Sequence, residues 1–337
     1  MIGTAPECLA SARQTVEPAL MAAVDRLHDA SRLVTGYHLG WYDADGRRTL
    51  GAGGKALRPA LALLSAEAAG GTLEEGIPGA VAVELVHNFS LLHDDVMDQD
   101  AERRHRTSTW KAFGEPHAIL AGDALLVLAY EVLLECPSAH RVAAIRRVTA
   151  ATAELIRGQG ADLTFERRLD VSIGECLTMS AQKTAALLSA AAAIGAELAG
   201  ADPQLTAALA GFGQHLGLAF QGVDDLLGIW GSPDVTGKPV GNDLRQRKKS
   251  LPVVAALAAS NGVVDDLGML LSLRVLGDRE VALGTELLER AGTRAWVEDL
   301  VERERQAALA QLGGADIPES VRTQLSDIAD FVTTREF

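Results

Sequence analysis

Residues 81–106 read VAVELVHNFSLLHDDVMDQDAERRHR. The first half is apolar at almost every turn and shows no period-two alternation. A helix that is apolar nearly all round belongs in the centre of a large bundle. This one carries its charge to one end, where Asp94, Asp95, Asp98 and Asp100 are followed by Arg103, Arg104 and Arg106. Asp94 and Asp98 are four apart and share a helix face. Two carboxylates one turn apart repel each other unless a cation lies between them. Mg²⁺ takes hard oxygen ligands and commonly bridges to phosphates, and the arginines that follow suit a polyanion bound to it.

The same arrangement recurs. Gln221-Gly222-Val223-Asp224-Asp225 closes a second apolar helix, and Lys238 in a Gly-Lys-Pro turn, then Asp243-Leu-Arg-Gln-Arg-Lys248-Lys249, follow it. Two acidic helix ends that face each other can hold several Mg²⁺ ions, with the bases covering phosphate from outside. A third basic cluster is Gly53-Gly54-Lys55-Ala56-Leu57-Arg58-Pro59, where glycines precede a helix start that carries two cations, a good phosphate site. His87 lies two turns before Asp94 on roughly the same face. Lys183-Thr184 puts a charge on an otherwise apolar helix, and such a lysine needs an anionic partner or a route to water.

Outward from these motifs the chain reads as helices throughout. They are expected near 12–34, 55–70, 77–99, 116–135, 139–160, 172–199, 203–230, 251–260, 263–274, 279–292, 294–312 and 317–333. The breaks near 36–54, 71–77 and 231–250 read as loops within one bundle, so residues 1–337 are expected to form a single all-α domain around an apolar cavity. Ala185–Ala196 has no polar face and belongs at its centre. Of 337 residues 48% are hydrophobic, and the net charge is −14. That excludes a disordered chain and argues against a general nucleic-acid binder. Cys8, Cys136 and Cys176 form neither a disulfide framework nor a zinc motif, which fits a reducing cytoplasm. Charges within residues 1–30 break any signal-peptide core, and the uncharged stretch 205–223 holds Gln214, His215, Gln221 and four glycines. A soluble protein without a membrane span is expected.

GGKALRP, HDDVMD with RR downstream, QKTA, FQGVDD, GKPVGNDL and KKSLP stand in one order across residues 50–257. The set resembles the trans-isoprenyl diphosphate synthases, the polyprenyl synthetase family. That resemblance implies the all-α isoprenoid synthase type I fold, usually in a homodimer, and Mg²⁺-dependent condensation of isopentenyl diphosphate with allylic diphosphates. It implies Asp94, Asp98 and Asp224 as metal ligands, with Asp95 and Asp225 as neighbouring motif acids. Arg103, Lys183, Lys238 and Lys248 become cations around the allylic diphosphate, Thr184 and Gln221 polar groups lining that site. Lys55, Arg58, His87 and Arg104 resemble the isopentenyl diphosphate site.

The second motif departs from the family's DDxxD. It reads Asp224-Asp225-Leu226-Leu227-Gly228, and Gly228 cannot bind metal, which puts the fine positioning of the metal cluster in question and admits a weakly active partner subunit as an alternative. A class I terpene cyclase would carry N-D-xx-S-xxx-E, but Asn242-Asp243 is followed by Gln246 and Ser250 at the required positions. His93-Asp94 lacks the further partners of an HD-type hydrolase, and Glu84-xx-His87 is a single ExxH where a di-iron bundle needs two. Product length is read from the residues before Asp94. Ser90, four back on the same face and about 6 Å deeper, is small. Phe89, five back and about 140° round, narrows one side. In the family this pattern resembles geranylgeranyl-type synthases, so a twenty-carbon product is expected, with farnesyl diphosphate second.

Overall fold

The computed structural model describes residues 5–49, 54–233, 239–259, 262–273 and 275–334. The chain opens with α1 (Glu7–Val24) and α2 (Asp29–His38), where one continuous helix over 12–34 is expected from the sequence. The break has a local cause. Arg26 and Leu27 donate to the carbonyls three residues back, and His28, in extended geometry, accepts from Ala30 N to cap the next helix.

α3 (Leu57–Ala68) leads to α4 (Leu73–Met97). The latter starts earlier than its apolar run because Thr72 and Glu75 form a reciprocal capping box, which satisfies two of the free N–H groups of the first turn. A two-residue hairpin follows, β1 (Glu102–Arg103) against β2 (Arg106–Thr107), with Arg103 paired to Arg106. Then come α5 (Thr109–Phe113), α6 (Glu115–Glu135) and α7 (Arg141–Phe165). α8 (Ile173–Ser180) passes through a π-helical turn at Ala181–Ala185 into α9 (Ala186–Leu198). α10 (Pro203–Trp230) is followed by α11 (Asn242–Arg245), α12 (Leu251–Leu257), α13 (Val263–Ser272), α14 (Asp278–Arg290), α15 (Thr293–Gly313) and α16 (Glu319–Thr333).

The central layer is α3, α4, α9 and α10, with α9 packed against α3, α7 and α10. Every residue from Ala190 to Ala196 is buried, as a helix without a polar face requires. Truncating a fully buried leucine here, such as Leu188, costs about 2–5 kcal/mol. α6 packs on α4, yet its outward face shows Leu120, Val127 and Leu134, seven residues apart and each about 60% exposed. Among the described residues it is also the one helix long and apolar enough to cross a membrane by length and composition alone. The layer brings the C-terminal ends of α4 and α10, the two acidic ends, to the same side of the bundle as the segment 239–250. We call that segment the strap.

Candidate active site

A cleft of about 430 Å³ opens at that side. Asp224 and Asp225 from α10, Asp162 from α7, Lys183 from the π turn, and Asp243, Lys248 and Lys249 from the strap line it, together with Lys55. Lys183 is placed there by the π turn, a local widening of the helix that recurs at functional sites. Gly158 on α7 makes the approach possible, since a Cβ on it would lie 2.3 Å from Lys183 N. Lys183 Nζ then meets Asp162 Oδ2 at 2.6 Å. Its neighbour Thr184 donates to Gln221 Oε1 at 2.6 Å, and Gln221 Nε2 donates to Asp225 Oδ1 at 2.7 Å.

The two acids of each motif divide their work. Asp95 is fully buried and accepts Arg103 Nε on both oxygens, at 2.7 and 2.8 Å. Asp95, expected as a neighbouring motif acid, holds the Arg103 guanidinium in place. Asp225 is likewise buried and takes Leu251 N at 2.7 Å as well as Gln221, so it anchors the start of α12. Burial, with Asp243 adding repulsion, pushes its carboxyl up to about 7 against those hydrogen bonds. Asp94 is also pushed up, to about 6, first by burial and then by Asp98, while Lys183 pulls the other way.

The strap reaches back to the first acidic end. Lys248 Nζ lies 3.4 Å from Asp98 Oδ2, and Gln246 Nε2 donates to Asp100 Oδ1 at 3.0 Å. Burial works against the Lys248 ammonium, but Asp98, Asp243, Asp162 and Asp100 outweigh it and raise Lys248 above the ordinary lysine range. Among the described residues no three His, Cys, Asp or Glu side chains converge as a preformed metal cage. Lysines stand between the acids instead.

The second basic set forms its own neighbourhood. Arg58 is half-buried, and its Nε, shut off from solvent, has no hydrogen-bond partner. Burial lowers it to about 10, and only the charges of Glu84 and Asp224 hold it there. His87 is half-buried near Arg58, Arg104, Arg103 and His38, and desolvation together with those neighbours keeps it neutral, well below the usual range. Arg104 Nη2 lies where a Cβ on Gly54 would meet it at 3.1 Å. Lys55 lines the main cleft, with Nζ over the Phe331 ring at 5.6 Å. Phe89 packs edge-on against His93, with ring centroids 4.9 Å apart, and Ser90 donates to His87 O at 2.8 Å. Neither lines the cleft. Lys238 and Gly53 lie outside the described residues.

Backbone strain concentrates here. Among the described residues the non-glycine positions with left-handed φ are Ala56, Gln99, Arg104, His105 and Arg247. Each is a neighbour in sequence of Lys55, Asp98, Arg104 or Lys248, or is itself Arg104. Such residues persist where the surroundings over-determine them, and they cluster at functional sites. The sequence reading misses Asp162 and His38, and it names Asp243 and Glu84 without giving either a place in the site. Gln159-x-x-Asp162 at the end of an alanine-rich helix is a local signal that points to Asp162, as GKPVGNDL does to Asp243.

A profile described as polyprenyl synthetase matches residues 41–271. Two relatives from Mycobacterium tuberculosis span nearly the whole chain. A (2E,6E)-farnesyl diphosphate synthase is 47% identical over 97% of this chain and 92% of its own length. A geranylgeranyl diphosphate synthase is 42% identical over 97% and 93%. The crystal structure of a polyprenyl synthetase from Streptomyces coelicolor superposes with a TM-score of 0.93 at 51% identity, covering 97% of this chain and 99% of that one. A geranylgeranyl pyrophosphate synthase from Corynebacterium glutamicum, complexed with isoprenyl diphosphate and magnesium, gives 0.84 at 28% identity, over 99% and 100%.

Proposed function

This chain belongs to the polyprenyl synthetase family and is a prenyltransferase, and we propose that it condenses isopentenyl diphosphate with allylic diphosphates in a Mg²⁺-dependent reaction whose main product is geranylgeranyl diphosphate. One observation carries the reading. Lys55 and Lys183, from separate motifs, line one cleft with Asp224 and Asp225 of the second acidic end, and Lys248 on the same lining reaches Asp98 of the first.

The donor set fits a divalent cation. Asp94 and Asp98 repel each other at the end of α4, and Asp224 on the cleft lining offers a further hard oxygen. Bound there, several Mg²⁺ ions would offset the charge that grows on the departing diphosphate. The chain's own groups do the rest. Lys183 and Lys248 give up part of their hold on Asp162 and Asp98 to the allylic diphosphate. The allylic C–O bond breaks, and the bonding pair leaves with the diphosphate, stabilised by ammonium groups already fixed in place. Arg58, Lys55 and Arg104 hold isopentenyl diphosphate so that its double bond attacks the allylic cation. His87, kept neutral, donates a hydrogen bond and adds no positive charge. The released diphosphate takes the proton that restores a double bond. Fixing two polyanions side by side is itself a large part of the catalysis.

A twenty-carbon product follows from the small Ser90 on the Asp94 face, while identity to a farnesyl diphosphate synthase supports fifteen carbons as the second reading. The apolar ladder Leu120, Val127 and Leu134 on α6 supports a homodimer. Three free cysteines fit the cytoplasm. We take residues 1–337 as one functional domain. Purified protein incubated with isopentenyl and farnesyl diphosphates should release diphosphate with Mg²⁺ and stop with EDTA. A folded sample that releases none would sink the reading.

A further inference from the structure

The second acidic motif ends at Gly228, without a third carboxylate of its own. A Cβ built on Gly228 would lie 2.2 Å from Asp243 Oδ2 and 2.4 Å from its Cγ. The Asp243 carboxylate therefore rests directly on the Gly228 backbone, in the volume where an acidic side chain at position 228 would begin. Asp243 is delivered there by the strap. Gly241, with left-handed φ, turns the chain just before it, and Lys248 N donates to Asp243 O at 2.9 Å. The carboxylate lines the same cleft as Asp224, Lys183 and Lys248.

We propose that Asp243 supplies the third carboxylate of the second acidic motif, and that Gly228 is the seat that admits it. The shell of acid around the cation and diphosphate is then shared between α10 and the strap. Binding of the metal–diphosphate pair then depends on the strap keeping Asp243 seated on Gly228. Asp243 is a positioning residue in this scheme, brought up beside Asp224. The inference rests on the metal-dependent reading of the cleft given above.

Two acids cannot occupy one seat, so the test exchanges them. The full-length protein is titrated with Mg²⁺ in the presence of inorganic pyrophosphate, and binding is followed by calorimetry and by the rise in Tm. The Mg²⁺ concentration for half-maximal rate is measured in parallel. Asp243→Asn keeps the shape and removes the charge. It should weaken Mg²⁺–pyrophosphate binding by about 10–100-fold, the usual cost of losing a group that orients metal ligands, with Tm in EDTA preserved. Gly228→Asp should weaken binding too, by forcing a second carboxylate into filled space. The double variant Gly228→Asp with Asp243→Gly should recover most of the loss. Unchanged Mg²⁺ dependence in Asp243→Asn, or a double variant no better than Asp243→Gly alone, overturns the proposal. If the wild-type protein itself binds no Mg²⁺–pyrophosphate, the reading of the cleft fails instead.

Discussion

Lys183 Nζ and Asp162 Oδ2 stand 2.6 Å apart, and both face the cleft. The lysine is thereby held extended over the place where a diphosphate would lie. A charged hydrogen bond of this kind is worth about 1.5–3 kcal/mol. Lys183→Ala should therefore raise the KM for the allylic substrate by roughly ten- to a hundredfold, with little change for isopentenyl diphosphate. Asp162→Ala should affect the same parameter, and the double variant should show clear non-additivity. Initial rates with each substrate varied in turn check this. Equal effects on both substrates would remove the assignment.

Arg58 makes the opposite prediction. Its buried Nε is unpartnered, so a diphosphate there gains a charge-assisted contact at little desolvation cost. Arg58→Ala should mainly raise the KM for isopentenyl diphosphate. Arg58→Lys should recover only part of it, since an ammonium lacks the planar fork. A pattern swapped with that of Lys183 would reverse the two sites.

The acids should separate into two kinds. Asp94→Ala, Asp98→Ala and Asp224→Ala each should lower turnover by orders of magnitude while the fold persists. Asp225→Ala should instead lower stability by about 1–3 kcal/mol, because Leu251 N and Gln221 lose their acceptor in a buried place. Urea denaturation beside turnover numbers distinguishes these. An Asp225→Ala protein of normal stability would contradict the anchoring role.

His38 and His87 predict a pH effect on stability. Burial first, then the neighbouring arginines, keeps both imidazoles neutral well below their usual 6.5. The unfolded chain takes up these protons near 6.5 and the folded one does not. Their contribution is thus present above that pH and lost as pH falls, by up to about 1.4 kcal/mol per pH unit for each imidazole. Asp94 and Asp225, with raised carboxyl values, contribute in the opposite sense, so the comparison must be between variants. His38→Gln should lose less Tm than wild type between about pH 7.5 and about pH 5.5. Identical slopes would show that His38 takes up its proton in the fold.

Product length tests the floor of the chain-binding region. Phe89→Ala should lengthen products and Ser90→Phe should shorten them, read by chromatography after dephosphorylation. Phe89 packs on His93 and lies off the cleft lining, so unchanged lengths in both variants would assign it to ordinary core.

The two acidic helix ends and the QKTA turn are legible in the sequence because each is a local interruption of an apolar run. The partners of those groups are not legible. Asp162 is a single acid 21 residues from the lysine it holds, and Asp243 matters through its contact with a residue that has no side chain. The break between α1 and α2 is missed because residues 25–28 include neither Gly nor Pro, and capping by a histidine leaves no strong local signature. The Arg104–His105 turn escapes for a similar reason. Tight hairpin turns that need positive φ normally announce themselves with Asn or Gly, and this one uses neither.

The left-handed residues around the cleft carry a consequence for anyone seeking a hardier enzyme. A non-glycine residue in that conformation costs of order 1 kcal/mol, so glycine at Gln99, His105 or Arg247 is an obvious thermostabilising choice. The three positions are not equivalent. Arg247 and Gln99 adjoin Lys248 and Asp98, whose reach across the cleft depends on the backbone holding still, and glycine there relieves strain but adds freedom in the unbound state. His105 sits at the tip of a hairpin pinned on both strands, where the neighbouring pairing limits that freedom. Directed evolution for heat resistance should therefore accept His105→Gly early and keep rejecting the other two while activity is also selected.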